Sequence, residues 1–176
     1  MTDADDFPVP AQPDRCVGTT SDAALPERLA RCIADERIDA AIVGQGAAAA
    51  TAESAARILG VPLSAIVKTM VLTDGTRFVA AILPGDRRLD RKRLASFLGT
   101  GSLRFATPAE VLEQTGYPAG GVAPLGFARP TDVVVDDTLR GSVIGGGGRE
   151  DLLIRVAIDD IVRVNGARRG PICQPA

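Results

Sequence analysis

The sequence predicts an α/β mixed (α+β) fold, a mixed β-sheet with helices at its periphery. Two observations carry this. Strand-like runs follow one another repeatedly without a helix between them, which departs from regular βαβ alternation. Five helical segments with recognisable caps are set among those runs. The 176 residues suffice for one domain, and 45% hydrophobic with 24% charged residues is ordinary for a globular chain.

Residues 1–20 read as a disordered tail of Pro, Asp and Thr with little to bury, which leaves 21–176 as a single domain. Structure is expected to begin with "LPERLARCIADERI", where Leu25, Leu29, Cys32 and Ile33 recur at helical spacing and Pro26 suits a first turn. "DAAIVG" is a short strand. Thr51 caps the helix "AESAARILG", which Gly60 stops. "IVKTMVLTDGTRFVAAIL" is a hairpin around Asp74-Gly75, a dipeptide favoured in tight primed turns. Asp90 opens a helix that ends at Gly99, and "SLRFA" is a strand. In "TPAEVLEQTG" Thr107 caps, Pro108 enters the first turn and Glu110 completes a capping box. Three strands follow, "TDVVVDD", "GSVI" and "LLIRVAI", then the small helix "DDIVRVNG".

Composition removes several kinds of chemistry. There is no histidine, so Ser-His and Cys-His nucleophiles and most catalytic zinc sites are absent from expectation. The three cysteines, Cys16, Cys32 and Cys173, form neither a CxxC pair nor a disulfide framework, which suits a reducing cytoplasm. The acidic, Pro-rich start has no apolar run and reads as neither signal peptide nor membrane span. Aromatic residues are too few for a stacking surface, and a net charge of −2 gives no global drive toward a polyanion. No metal, cofactor, DNA or membrane partner is expected.

Lys68 is one of only two lysines and lies in the apolar run "IVKTMVL", on one face with Ile66, Met70 and Leu72. Such a lysine either snorkels to solvent or serves a pocket. The stretch "GYPAGGVAPLG", residues 116–126, spends four glycines and two prolines on eleven positions. Gly116 reads as a helix C-cap. Gly120, Gly121, Pro124 and Gly126 read either as a long connection with special φ values or as a backbone that closely approaches an oxyanion or ester. The run Gly145 to Gly148 lacks nucleotide-loop spacing, so it is a hairpin connection or a second wall of the same pocket. "DRRLDRKR" puts Arg87, Arg88, Arg91, Lys92 and Arg93 together, as a solvated helix face or as an RNA-facing patch, with Arg168-Arg169 a second place to look. Asp136-Asp137 either cap a turn or face a site.

Together, "VKT" in a hairpin strand, "PGDRRLD", "TGYPAGGVAPLG", "VVVDDTL" and a glycine-rich turn before "LLIRV" resemble the YbaK/prolyl-tRNA editing-domain family over roughly residues 35–165. The resemblance implies a mixed, barrel-like sheet with helices around it and hydrolysis of the ester joining a wrong amino acid to tRNA. Carried over by motif, Lys68 is the essential lysine, and Gly120 and Gly121 set loop backbone against the ester. Thr69, Pro124, Asp136, Gly145 and Gly146 join them as substrate-binding candidates. Cysteine-clearing relatives have a serine and an aspartate where this chain has Gly146 and Leu153. Alanine-clearing relatives have Asn where this chain has Thr69.

Two expectations follow. One is a freestanding, metal-independent deacylase acting in trans on a small amino acid, with proline tRNA as carrier. Prolyl-tRNA synthetase or an elongation factor would be its delivery partner. The other is a catalytically silent module binding tRNA or a synthetase.

Overall fold

In the computed structural model residues 24–46 and 51–175 are described. The expected tail at 1–20 lies outside them. Helix α1 spans Glu27–Asp35, with Pro26 at the cap position, and β1 spans Ala41–Gln45. Helix α2, Ala52–Leu59, starts where the Thr51 hydroxyl accepts the Ser54 N–H and ends at left-handed Gly60. A 3-10 turn at Leu63–Ala65, not expected from the sequence, leads into β2, Val67–Thr73, and β3, Phe78–Pro84.

Then come α3 (Arg91–Leu98), β4 (Arg104–Phe105) and α4 (Pro108–Thr115). The capping box of Thr107 and Glu110 is present at the start of α4. Arg104 and Thr107 both donate to the Glu110 carboxylate and hold its pKa down to about 2. Strands β5 (Asp132–Asp136), β6 (Ser142–Gly146) and β7 (Leu152–Ala157) precede α5 (Ile158–Asn165). A last strand, β8, covers Arg168–Gly170.

The hairpin is real but its turn is not the tight two-residue form. Thr73 pairs with Phe78, leaving four residues in the loop. The Asp74 carboxylate accepts the Thr76 and Arg77 N–H groups, each at 2.9 Å, as an Asx turn, and one long backbone bond remains across it, from the Asp74 N–H to the Arg77 carbonyl at 3.4 Å.

The strands form two sheets. The larger is mixed, in the order β4-β2-β3-β5-β8, with β3 and β5 parallel and β2 antiparallel to β3 and β4. The smaller is antiparallel, in the order β1-β7-β6. This is a mixed α+β architecture with helices at its edges. A closed barrel is not shown: among the described residues a single bridge, Ile66 to Ile144, joins one sheet to the other.

The central strands of the larger sheet, β2, β3 and β5, are packed on both faces, which explains why they read as nearly unbroken apolar runs. Val67, Val71, Ala80, Ile82, Val133 and Val135 face the smaller sheet and pack with Ile154, Val156 and Ile161. Leu72, Val79, Ala81 and Val134 face α3 and pack with Leu94 and Ile172. A third cluster, Ala55, Ile66, Ile144 and Leu153, seats α2 at the junction of the sheets.

Candidate active site

The start of β2 sits where α2, the glycine loop and the end of β6 converge, and a cavity of about 190 Å³ opens between them. Helix α2 contributes Ala52 and Ala55, followed by Ile66 and the first residues of β2, Val67 to Thr69. The loop adds Gly120 and Val122, and the β6–β7 hairpin adds Gly146, Leu152 and Leu153. Lys68 is the one charged residue among the described residues lining it. Four residues expected at the site, Lys68, Thr69, Gly120 and Gly146, are brought together here.

Strand parity separates the neighbours Lys68 and Thr69. Thr69 shares the face of Val67 and Val71, toward the smaller sheet. Lys68 has the parity of Met70 and Leu72, which pack toward α3, yet at the end of the strand it still lines the cavity beside Thr69. Its half-buried ammonium donates to the Arg87 carbonyl at 2.9 Å, neither lost to solvent nor paired with a carboxylate. An ammonium has three donors, so two remain for another acceptor.

The loop has a geometric reason for each of its two central glycines, and the reasons differ. Gly120 has φ +91°, and nothing lies within 4 Å of where a Cβ would stand, so its backbone is open toward the cavity. Gly121 instead packs backbone against backbone: a Cβ there would lie 2.4 Å from the Arg149 carbonyl carbon. The Gly121 N–H is already donated to the Pro118 carbonyl at 3.0 Å. Among the described residues the Gly120 and Val122 N–H groups have no acceptor. Gly146 closes the same seam from the other side, where a Cβ would lie 2.5 Å from the Val122 carbonyl oxygen. Of the glycine run, Gly146 at the end of β6 lines the cavity, while Gly147 and Gly148 belong to the β6–β7 connection and pack against Leu152 and Tyr117. Buried Tyr117 holds the loop from within, its hydroxyl 3.0 and 2.9 Å from the Leu125 and Gly126 carbonyls.

Other expected residues stand behind the cavity or away from it. Gly145 and Pro124 form a buried layer behind it, where a Cβ on Gly145 would lie 3.0 Å from Val67 Cγ2 and 3.7 Å from Pro124 Cδ. Asp136 does not line the cavity. Its carboxylate is 1% exposed and accepts from the Thr138 hydroxyl and N–H and from the Ile172 N–H. Burial pushes its pKa up, but these donors and the Cys173 thiol outweigh that and hold it below the usual carboxylate range. The Cys173 thiol, desolvated and bonded to Asp136, is pushed up to about 12.

The basic run divides. Arg87 and Arg88 occupy the loop whose carbonyl meets Lys68, and Arg91, Lys92 and Arg93 stand exposed on α3. Arg91 donates to the Leu103 carbonyl at 3.3 Å and lies over the Phe105 ring. Arg168 and Arg169 belong to β8: the first lies over Phe97, and the second donates to the Leu139 carbonyl. Sequence reasoning missed Ala52, Ala55, Val122 and Leu152, small or apolar residues whose role appears only when three distant segments meet.

A model of the aminoacyl-tRNA editing domain family matches residues 47–164, which include every described segment lining this cavity. The chain belongs to that family. It is 35% identical over 118 residues to a proline–tRNA ligase of Fervidobacterium nodosum, covering 65% of this chain and 20% of the ligase. The chain thus spans about a fifth of the length of that relative. A Bacillus subtilis protein, YwhH, is 38% identical over 92 residues, covering 52% of this chain and 58% of that one. A solved structure described as a candidate trans-editing enzyme for prolyl-tRNA synthetase superposes with a TM-score of 0.76 at 28% identity, covering 86% of this chain and all of the other.

Among the described residues no group of three or more His, Cys, Asp or Glu side chains could hold a metal ion. No helix among them is long and apolar enough to cross a membrane.

Proposed function

We propose that this chain is a cytoplasmic trans-editing deacylase. It hydrolyses the ester between a small, uncharged amino acid and the terminal ribose of a mischarged tRNA, with proline tRNA as the carrier. The observation that carries this reading is the convergence of Lys68, Thr69 and the open backbone of Gly120 on one small cavity in an aminoacyl-tRNA editing domain. Proline tRNA is supported by the editing-domain match to proline–tRNA ligases and by the trans-editing neighbour.

An aminoacyl ester is already activated, so no protein nucleophile is required. The enzyme has to position it and stabilise the charge that develops. Water adds to the carbonyl carbon, and the carbonyl oxygen becomes an oxyanion. The N–H groups of Gly120 and Val122 and the Lys68 ammonium are the donors available to it. The carbon–oxygen bond to the ribose then breaks, the ribose oxygen takes up a proton, and the free amino acid leaves as a carboxylate with one proton released to solvent. The apolar Ala52, Ala55, Val122 and Leu153 favour an uncharged side chain, and their crowding favours a small one.

Incubation with tRNA carrying alanine, cysteine, serine, threonine or glutamate tests the reading. Loss of a small uncharged ester from proline tRNA, with glutamate retained, is the expected result. Survival of all esters while the protein still binds the tRNA or prolyl-tRNA synthetase would make it a binding module instead.

A further inference from the structure

Asp136, Cys173 and Arg87 take no part in the ester chemistry above, yet their contacts run in one chain toward Lys68. The buried Asp136 carboxylate accepts the Ile172 N–H at 3.3 Å, which fixes the start of the segment 172–174. That segment lies antiparallel against the loop after β3, with Leu89 bridging Cys173. The Asp90 N–H donates to the Ile172 carbonyl, and the Gln174 N–H donates to the Arg88 carbonyl, each at 2.8 Å. The Arg87 guanidinium closes the clasp by donating to the Gln174 carbonyl at 3.0 Å. The carbonyl of this same Arg87 receives the Lys68 ammonium at 2.9 Å.

We propose that the Arg87–Gln174 clasp is a positioning device for Lys68: by fixing the Arg87 carbonyl it fixes where the ammonium points. The need is physical. A lysine ammonium rides on a flexible four-carbon stem with costly rotamer freedom, and a catalytic charge displaced by an ångström loses much of its effect. The Arg87 carbonyl is the anchor, and a surface loop alone would not hold it still. Gln174 is exposed, so the clasp is separable from the core beneath it. In catalytic terms the inference rests on the deacylase reading of Lys68, but the positioning itself can be observed without activity.

The chain has only two lysines, Lys68 and Lys92, so selective lysine labelling with carbon-13 gives two sets of side-chain signals, which Lys68→Ala assigns. Gln174→Pro removes the N–H given to Arg88, Arg87→Ala removes the guanidinium bond, and Arg87→Lys restores a donor while adding a third set of lysine signals, told apart by comparison with the wild-type spectrum. We expect both disrupting variants to collapse the separate Lys68 Hε shifts toward averaged, mobile values, with Arg87→Lys close to wild type. Thermal midpoints should stay within a few degrees. Against the ester that wild type hydrolyses, the same two variants should lose about tenfold in kcat with KM within twofold. Unchanged Lys68 signals would overturn the proposal, as would a rise in KM alone, which would make Arg87 an RNA contact. If wild type hydrolyses nothing while the Lys68 signals respond as expected, the deacylase reading fails and the positioning stands.

Discussion

Lys68→Ala and Lys68→Met lose about 10²–10³-fold in deacylation rate while remaining folded. That is the usual cost of removing one preorganised donor from a developing oxyanion. Stability should change little, because the ammonium is half-buried and, among the described residues, its one hydrogen-bond partner is a backbone carbonyl. Methionine tests the charge rather than the volume, since it fills a similar space without a donor. Single-turnover hydrolysis beside a thermal melt separates the two effects. A variant that melts with wild type and hydrolyses at the wild-type rate would remove Lys68 from the chemistry.

Gly121→Ala should damage both the fold and the site. Its new methyl would stand 2.4 Å from the Arg149 carbonyl carbon and 2.6 Å from the Glu150 nitrogen. Backbone cannot swing aside as a side-chain end can, so the loop must lift from the β6–β7 turn. Overpacking of this kind costs roughly 1–3 kcal/mol. The same movement displaces Gly120 and Val122, so activity should fall further than stability alone would require. Gly101→Ala is the control: nothing lies within 4 Å of its Cβ position, and its melting should match wild type. Equal melting of Gly121→Ala and Gly101→Ala would show that the seam is not tight.

How much of this was legible in the sequence depended on how local the cause was. The capping box of Thr107 and Glu110, the stops at Gly60, Gly99 and Gly116, and the β2–β3 pairing all arise from neighbouring residues, and all are present. The hairpin turn was placed correctly, but its form was not, because the Asp74 side chain accepts two of the turn's N–H groups as an Asx turn. Strand β8 was missed because three residues carry no period, and its two arginines look like a patch until Phe97 and Leu139 are beside them. Asp136 looked like a site candidate because nothing in "VVVDD" reveals that Ile172 and Cys173 return to cover it. Gly120 and Gly121 are indistinguishable as letters. Only the approach of Arg149 and Glu150 separates the open glycine from the packed one.

The central claim is that the aminoacyl end of tRNA enters the cavity between β2 and the glycine loop. An adenosine carrying alanine through a 3′-amide mimics that end and cannot be hydrolysed. Titrated into protein labelled with nitrogen-15, it should move the backbone amide signals of Lys68, Thr69, Gly120, Val122 and Gly146 together, as one saturable site. Shifts confined to the exposed face of α3 or to the β8 edge, or none at saturating analogue, would contradict the account.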